Sequence, residues 1–292
     1  KIVHRQIVAY SDYSVLVPVA SIEQAARLGT LASALAEAQH GEIFAVHVVG
    51  VPQALSLADG RHFLDRGKPI LRRVIRSGEE RDVPVNTMIR LGRNVGTAIM
   101  ETARERKSNL ILLGWPGYTH TERAAFGSVI DLVSRNPPCD LAVVRFRERE
   151  QPRRILIPTA GGPHTPLCLE LAIAQAKTFK EETGEDSVIT LLSIITPETS
   201  QQQVAKVHAR YREHFRWPFE SLFVENGTVL DAILKESANH NLVLIGATQE
   251  GWFEQRMFGS LAEQLAREAH KTVIMCKAHE PVKHMFRRIL NG

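Results

Sequence analysis

Four residues stand at a spacing that suits phosphate chemistry. Gly114-Trp115-Pro116-Gly117 is followed by nine residues and then by Gly127-Ser128. The apolar run Leu110-Ile111-Leu112-Leu113 precedes this stretch directly, and a helical pattern follows it. Glycines permit positive φ and let the backbone approach a ligand closely, while the N–H groups of Gly127, Ser128 and Val129 at a helix start would point at an anion. Ser128 adds a hydroxyl donor. With Gly and Ser each near 7% of residues, this spacing arises by accident somewhere in a chain of this length with a probability of about half a percent. An ordinary N-cap and a tight turn after a buried strand use the same residue types, so the motif is also compatible with a structural relic.

A second version lies further along. Gly246-Ala247-Thr248-Gln249-Glu250-Gly251 follows the run Leu242-Val243-Leu244-Ile245, and Gly259-Ser260 follows at the same offset as Gly127-Ser128. Gln249 stands where the second glycine belongs, Gly251 comes two residues late, and Glu250 and Glu254 would repel an anion. Trp115 and Trp252 occupy the corresponding loops, where an indole can stack on a base or cover the loop. Other chemistry has less support. The 12 histidines show no HxxxH or HExxH spacing, so no metal site is expected. Cys139, Cys168 and Cys276 form no CxxC pair, which suits a reducing compartment, and Cys139 reads as a small buried residue rather than a nucleophile. No Ser-His-Asp arrangement, Walker lysine or metal-holding acid is legible, and no enzymatic activity is expected.

The elements that must position these residues alternate in type. In the first half, strands are expected over 15–18, 43–49, 85–89, 110–113 and 141–144, with helices over 22–39, 63–80, 95–106 and 128–134. Ser21 is the expected N-cap of the first helix. After a polar stretch, strands follow over 155–158, 188–195, 219–224, 242–245 and 273–276, with helices over 167–180, 202–215, 229–238 and 261–269. Such alternation signals repeated βαβ units and a parallel sheet. The halves match in detail: Val15-Leu16-Val17-Pro18-Val19-Ala20 with Ile155-Leu156-Ile157-Pro158-Thr159-Ala160, and Phe126-Gly127-Ser128 with Phe258-Gly259-Ser260. The expected fold is therefore α/β: two tandem, doubly wound, five-stranded parallel-sheet domains packed as a pseudo-dimer. Domain 1, with an N-terminal linker, spans 1–147, a linker 148–153, domain 2 154–279 and a tail 280–292. In such a sheet a ligand lies at the carboxyl ends of the strands, where strand order reverses.

Composition excludes several classes. At 292 residues, 44% hydrophobic and 23% charged, the chain is neither disordered nor low-complexity. A net charge of +4 is too small to imply nucleic-acid binding. No run of 18 apolar residues or secretion signal appears, so this stretch reads as soluble. In the tail, Val282, Met285, Phe286 and Ile289 share one helical face and Lys283, Arg287 and Arg288 lie largely elsewhere. This basic amphipathic segment suits docking on its own domain or contact with anionic lipid.

The G-x2-G-x9-G-S spacing, the Val-Leu-Val-Pro strand at 15–18 and the Leu-Ile-Leu-Leu-Gly strand at 110–114 resemble the universal stress protein family. The resemblance covers about 13–147 and 153–277. It implies a Rossmann-like fold and a nucleotide site built from Val48 (the adenine-contacting position), Gly114, Gly117, Gly127, Ser128 and Val129. A degenerate second site would comprise Ile194, Gly246, Gly251, Gly259 and Ser260. The family's aspartate after the first strand, on the adenine or ribose side of ATP, is replaced by Ala20 and Ala160. Gly114-Trp115-Pro116-Gly117, Trp252-Phe253 and Met257-Phe258-Gly259-Ser260 resemble tandem copies fused to the cytoplasmic end of bacterial transporters. Cationic amino-acid permeases come first, with chloride channels and sodium/proton antiporters behind. A chain that begins at Lys1 fits an excised C-terminal part tethered at the cytoplasmic side of a membrane. The resemblance thus implies a non-catalytic regulatory module with a transmembrane transporter domain as partner and ATP, AMP or a cyclic dinucleotide as ligand. A free-standing ATP-binding stress protein and a purely structural dimerisation module, in which a homodimer forms, are the alternatives.

Overall fold

The structure is a computed structural model that describes residues 1–8, 11–52, 54, 64–115, 127–147, 151–195, 200–225, 227–247 and 260–279. The chain divides into two compact units, 1–143 and 144–292. The first contains β1 (Ile2–Gln6), β2 (Ser14–Pro18), α1 (Ile22–Ala38), β3 (Glu42–Gly50), α2 (Leu64–Glu79), β4 (Val85–Gly92), α3 (Val95–Arg106), β5 (Leu110–Gly114) and α4 (Ser128–Arg135). β6 (Asp140–Arg145) carries the chain across the division. The second unit contains β7 (Arg154–Pro158), α5 (Thr165–Thr183), β8 (Val188–Ile195), α6 (Gln201–Phe215), β9 (Glu220–Glu225), α7 (Val229–Ser237), β10 (Leu242–Gly246), α8 (Ser260–Glu268) and β11 (Thr272–Lys277).

Within the first unit the strand order is β1-β4-β3-β2-β5-β6, and within the second it is β11-β10-β7-β8-β9. From β2 the chain steps outward through β3 to β4, then returns to add β5 on the other side of β2. From β7 it steps to β8 and β9, then returns to β10. Each unit is therefore doubly wound, with its order reversing beside its first parallel strand. The central strands are continuous apolar runs because both faces of a parallel sheet are covered. Val15, Leu16 and Val17 are wholly buried, as are Ile155, Leu156 and Ile157. Parallel register is kept across the reversal, Val15 opposite Leu110 and Leu242 opposite Ile155.

Local sequence accounts for the helix starts. The Ser21 side chain accepts from Gln24 N, Asn94 caps α3 through Thr97 N, and Thr228 caps α7 through Asp231 N. Ser200 and Gln203 form a reciprocal capping box on α6. α5 departs from this rule, beginning at His164 with no side-chain cap and with Pro166 in its first turn.

One strand differs from the sequence expectation. β1 adds a sixth strand to the first unit and runs antiparallel to β4, with Ile2 opposite Arg90 and Gln6 opposite Thr87. Four of its five residues are exposed. It is held by ladder hydrogen bonds and by the Lys1 ammonium, which donates to the Leu91 carbonyl at 2.8 Å. A strand that buries almost nothing leaves no apolar alternation to read.

Candidate functional site

In the first unit strand order reverses between β2 and β5, where a doubly wound sheet has its ligand crevice at the carboxyl ends of the strands, and the end of β3 lies beside it. Gly114 is the last residue of β5, and Val48 is half-buried near the end of β3, opposite Arg90. Gly127 starts α4 at φ +94° and ψ 150°, a conformation open essentially to glycine alone. Among the described residues no side chain caps this helix. Ser128 is exposed and Val129 half-buried. The first N–H groups of a helix have no partner inside it, so this turn offers donors and positive dipole to an anion. Gly117 lies outside the described residues. Trp115 is 3% exposed, so its ring packs inside the unit rather than standing out from the loop.

Gln24, which motif reasoning passes over, stands inside this crevice. Its Oε1 accepts from Ala20 N at 2.9 Å and its Nε2 donates to the Gly114 carbonyl at 3.2 Å. One carboxamide thus joins the ends of β2 and β5. A Cβ placed on Gly114 would come 2.7 Å from Gln24 Nε2, 3.2 Å from its Cγ and 3.3 Å from Leu28 Cδ1, all side-chain atoms. Beside it, His47 Nδ1 lies 2.8 Å from the Val19 carbonyl, which can only accept, so Nδ1 carries a proton. A Cβ on Gly67 would meet His47 Cδ2 at 2.7 Å, so the glycine lets α2 lie against the ring.

The second unit places Gly246 at the end of β10, Ile194 half-buried near the end of β8 and Ser260 at the start of α8. Gly251 and Gly259 lie outside the described residues, as do Gln249, Glu250, Trp252, Glu254 and the tail 280–292. His164 is the counterpart of Gln24 by the match of the two first strands. A Cβ on Gly246 would lie 2.9 Å from His164 Cβ and 3.5 and 3.7 Å from its backbone C and Cα. His164 Nδ1 also accepts from Ala278 N at 3.1 Å, which ties the start of α5 to the chain leaving β11.

The position equivalent to His47 is Ser193, one residue before Ile194. Ser193 Oγ donates to the Thr159 carbonyl at 2.5 Å, repeating the contact of His47 with Val19. Having spent its only proton there, Ser193 must accept from His208 Nε2 at 3.0 Å. Neutral His208 therefore accepts at Nδ1 from Ser221 Oγ at 2.9 Å, and Ser221 accepts in turn from Arg212. His208 is 1% exposed and stacks on Phe223 with centroids 5.4 Å apart. Burial, helped by Arg212, pushes its pKa down to about 4. His240, equally buried, is also lowered, chiefly by burial. Neither relay was legible, because its partners come from separate elements. Gln24 did leave a trace, Ser21-x-x-Gln24 at a helix start, in the pattern of a capping box.

Among the described residues no group of three or more His, Cys, Asp or Glu could hold a metal ion. All three cysteines are buried, and none is in a disulfide. Burial and the neighbouring Asp140 push the Cys139 thiol up to about 12, which leaves it un-ionised at neutral pH. No helix among the described residues is long and apolar enough to cross a membrane.

The universal stress protein family pattern matches residues 14–145 and again 152–277. The chain belongs to that family and carries two tandem copies of its domain. It is 30% identical over 198 residues to the Na(+)/H(+) antiporter NhaS5 of Synechocystis sp., an alignment covering 66% of this chain and 27% of the antiporter. The match thus spans about a quarter of that relative's length. A universal stress protein from Archaeoglobus fulgidus superposes with a TM-score of 0.67 at 17% identity, over 91% of this chain and 96% of the other. The cytoplasmic domain of a prokaryotic cation chloride cotransporter superposes at 0.60 and 12% identity, over 94% and 99%. At such identities these two structures speak for the fold alone.

Proposed function

We propose that this tandem universal stress protein chain is a non-catalytic regulatory module on the cytoplasmic side of a membrane transporter, and that it senses an adenine nucleotide or cyclic dinucleotide in its first copy. The similarity to a sodium/proton antiporter, at an identity that speaks for more than fold, carries the transporter reading. The motif variants around Trp115 and Trp252 favour an amino-acid permease as the transmembrane partner, whereas the antiporter relative favours sodium/proton exchange. Reading the gene upstream of the Lys1 codon tests the tether. Several helix-length apolar segments are expected there; a start codon within a few residues of Lys1 would leave the free-standing alternative.

Ligand sensing is assigned to copy one because its helix start keeps the positive-φ turn at Gly127, with no side-chain cap hydrogen bond among the described residues. In this reading Val48 faces the base, Gly114 and Gly117 let the loop approach the ribose and phosphates, and Gly127, Ser128 and Val129 hold the phosphates. Ile194, Gly246, Gly251, Gly259 and Ser260 form a degenerate counterpart. With Ala20 in place of an acid, binding is weaker than in relatives that keep the aspartate. Calorimetric titration with ATP, ADP, AMP and cyclic dinucleotides is the test. One site per chain is expected, and two equal sites or none would overturn the assignment.

A further inference from the structure

The space above Gly114 and the space above Gly246 are filled by different kinds of atoms. Over Gly114 the three nearest atoms all belong to side chains, and the nearest is the tip of Gln24. Over Gly246 the neighbours are the Cβ and backbone of His164, in a residue that Ala278 N also holds. A side-chain tip leaves by rotating about its χ angles, whereas a helix backbone leaves only if the helix moves.

We infer that Gln24 is an intramolecular occupant of the copy-one crevice, which a nucleotide must displace, and that copy two is closed by a residue that cannot be displaced. This deepens the nucleotide reading of copy one and rests on it. The carboxamide occupies the Ala20 N–H and the Gly114 carbonyl together, the two backbone groups that face each other across the strand reversal. A ligand entering there must supply an acceptor to the first and a donor to the second, or leave them to water. Either exchange lowers apparent affinity, because binding competence requires the rotamer in which Gln24 has swung out. Gln24 is thus a regulator of the site's affinity rather than one of its ligand contacts. Its half-buried setting, with Ser21 separately capping α1, means that its removal leaves the helix start intact.

Titration of the whole chain with ATP and, in parallel, cyclic di-AMP provides the test. Gln24→Ala should tighten binding by roughly 5- to 20-fold, the equivalent of one to two modest hydrogen bonds no longer competing. His164→Ala should leave binding unchanged, since Cβ and backbone still cover Gly246. In wild type, the side-chain amide signal of Gln24, identified by its loss in Gln24→Ala, should move when ligand is added. Binding that is unchanged or weakened in Gln24→Ala, while Ser128→Asp weakens it on the order of 10- to 100-fold, would overturn this inference and leave the nucleotide reading standing. An unmoved Gln24 amide signal at saturating ligand would do the same. Binding of neither probe by wild type or Gln24→Ala would overturn the nucleotide reading, and this inference with it.

Discussion

The two units share a strand order and a first-strand match, yet they treat the same crevice in opposite ways. In the first unit a carboxamide on a flexible stem bridges Ala20 and Gly114, and α4 starts from Gly127 with no side-chain cap among the described residues. In the second unit the start of α5 lies directly on Gly246. Polar wiring has also moved there. The carbonyl after the first strand takes its hydrogen bond from Ser193, which leads through His208 to Ser221, where the first unit uses His47. A duplicated fold can therefore preserve its parallel strands while side-chain atoms cover the glycine at the strand reversal in one copy and a helix start covers it in the other.

The comparison breaks most visibly in acid. Neutral His208 is favoured in the fold, so its pKa lies below the unfolded value of 6.5, at about 4. The unfolded chain then binds the extra proton between those values. Stability from this group is complete above pH 6.5, declines as pH falls toward 4, and is lost below that, amounting to about 3 kcal/mol. His240 acts in the same direction. In the first unit buried Glu42 is raised, chiefly by burial, so acid relieves the cost of its charge. Hydrogen exchange between pH 7 and 4.5 should show the second unit loosening first, and His208→Gln should flatten that trend. Earlier loosening of the first unit would refute the comparison.

A charge at each helix start sharpens it. Ser128→Asp should weaken nucleotide binding on the order of 10- to 100-fold, the scale of losing hydrogen bonds to a charged phosphate. Ser260→Asp should change it less than twofold. Because an acid in the first turn of a helix is itself stabilising, neither change should lower the midpoint of urea unfolding.

Glycine substitutions probe the packing directly. Gly246→Ala forces backbone at His164 to shift and should cost about 2 kcal/mol in urea unfolding, the scale of overpacking. Gly114→Ala displaces the tip of Gln24 and presses on Gln24 Cγ and Leu28 Cδ1, side-chain atoms that can shift by a few tenths of an ångström, and should cost less than about 1 kcal/mol. Reversal of that order would mean that α5, not α1, is the adaptable element. The smallest expected effect concerns the caps. Ser21→Ala should cost about 1 kcal/mol, whereas His164→Ser, placed where no side chain now caps, should not recover an equivalent amount, because His164 also anchors Ala278.

Periodicity and glycine spacing made the tandem α/β architecture legible. Runs such as 15–18 and 155–157 are apolar because both sheet faces are covered, and α3 and β8 fall where the pattern puts them, at 95–106 and 188–195. Gly127-Ser128 marks a helix start whose φ of +94° explains the glycine. These features are local, since each depends on residues a few positions apart. β1 escaped because its stability comes from hydrogen bonds to β4, which leave no trace in the order of side chains.

Which atoms stand over Gly114 and Gly246 was decided only in three dimensions. Gln24 and Gly114 are 90 residues apart, and they meet because the strand order reverses between β2 and β5 and brings the first turn of α1 over the end of β5. The same holds for Ser193, His208 and Ser221, which come from two strands and the helix between them. Residue order determined that two like domains would form with glycines at the ends of their fourth parallel strands. Packing decided which atoms cover each of those glycines, because that depends on the rise and rotation of a helix against a sheet. Such quantities are set by many side chains together, not by any motif.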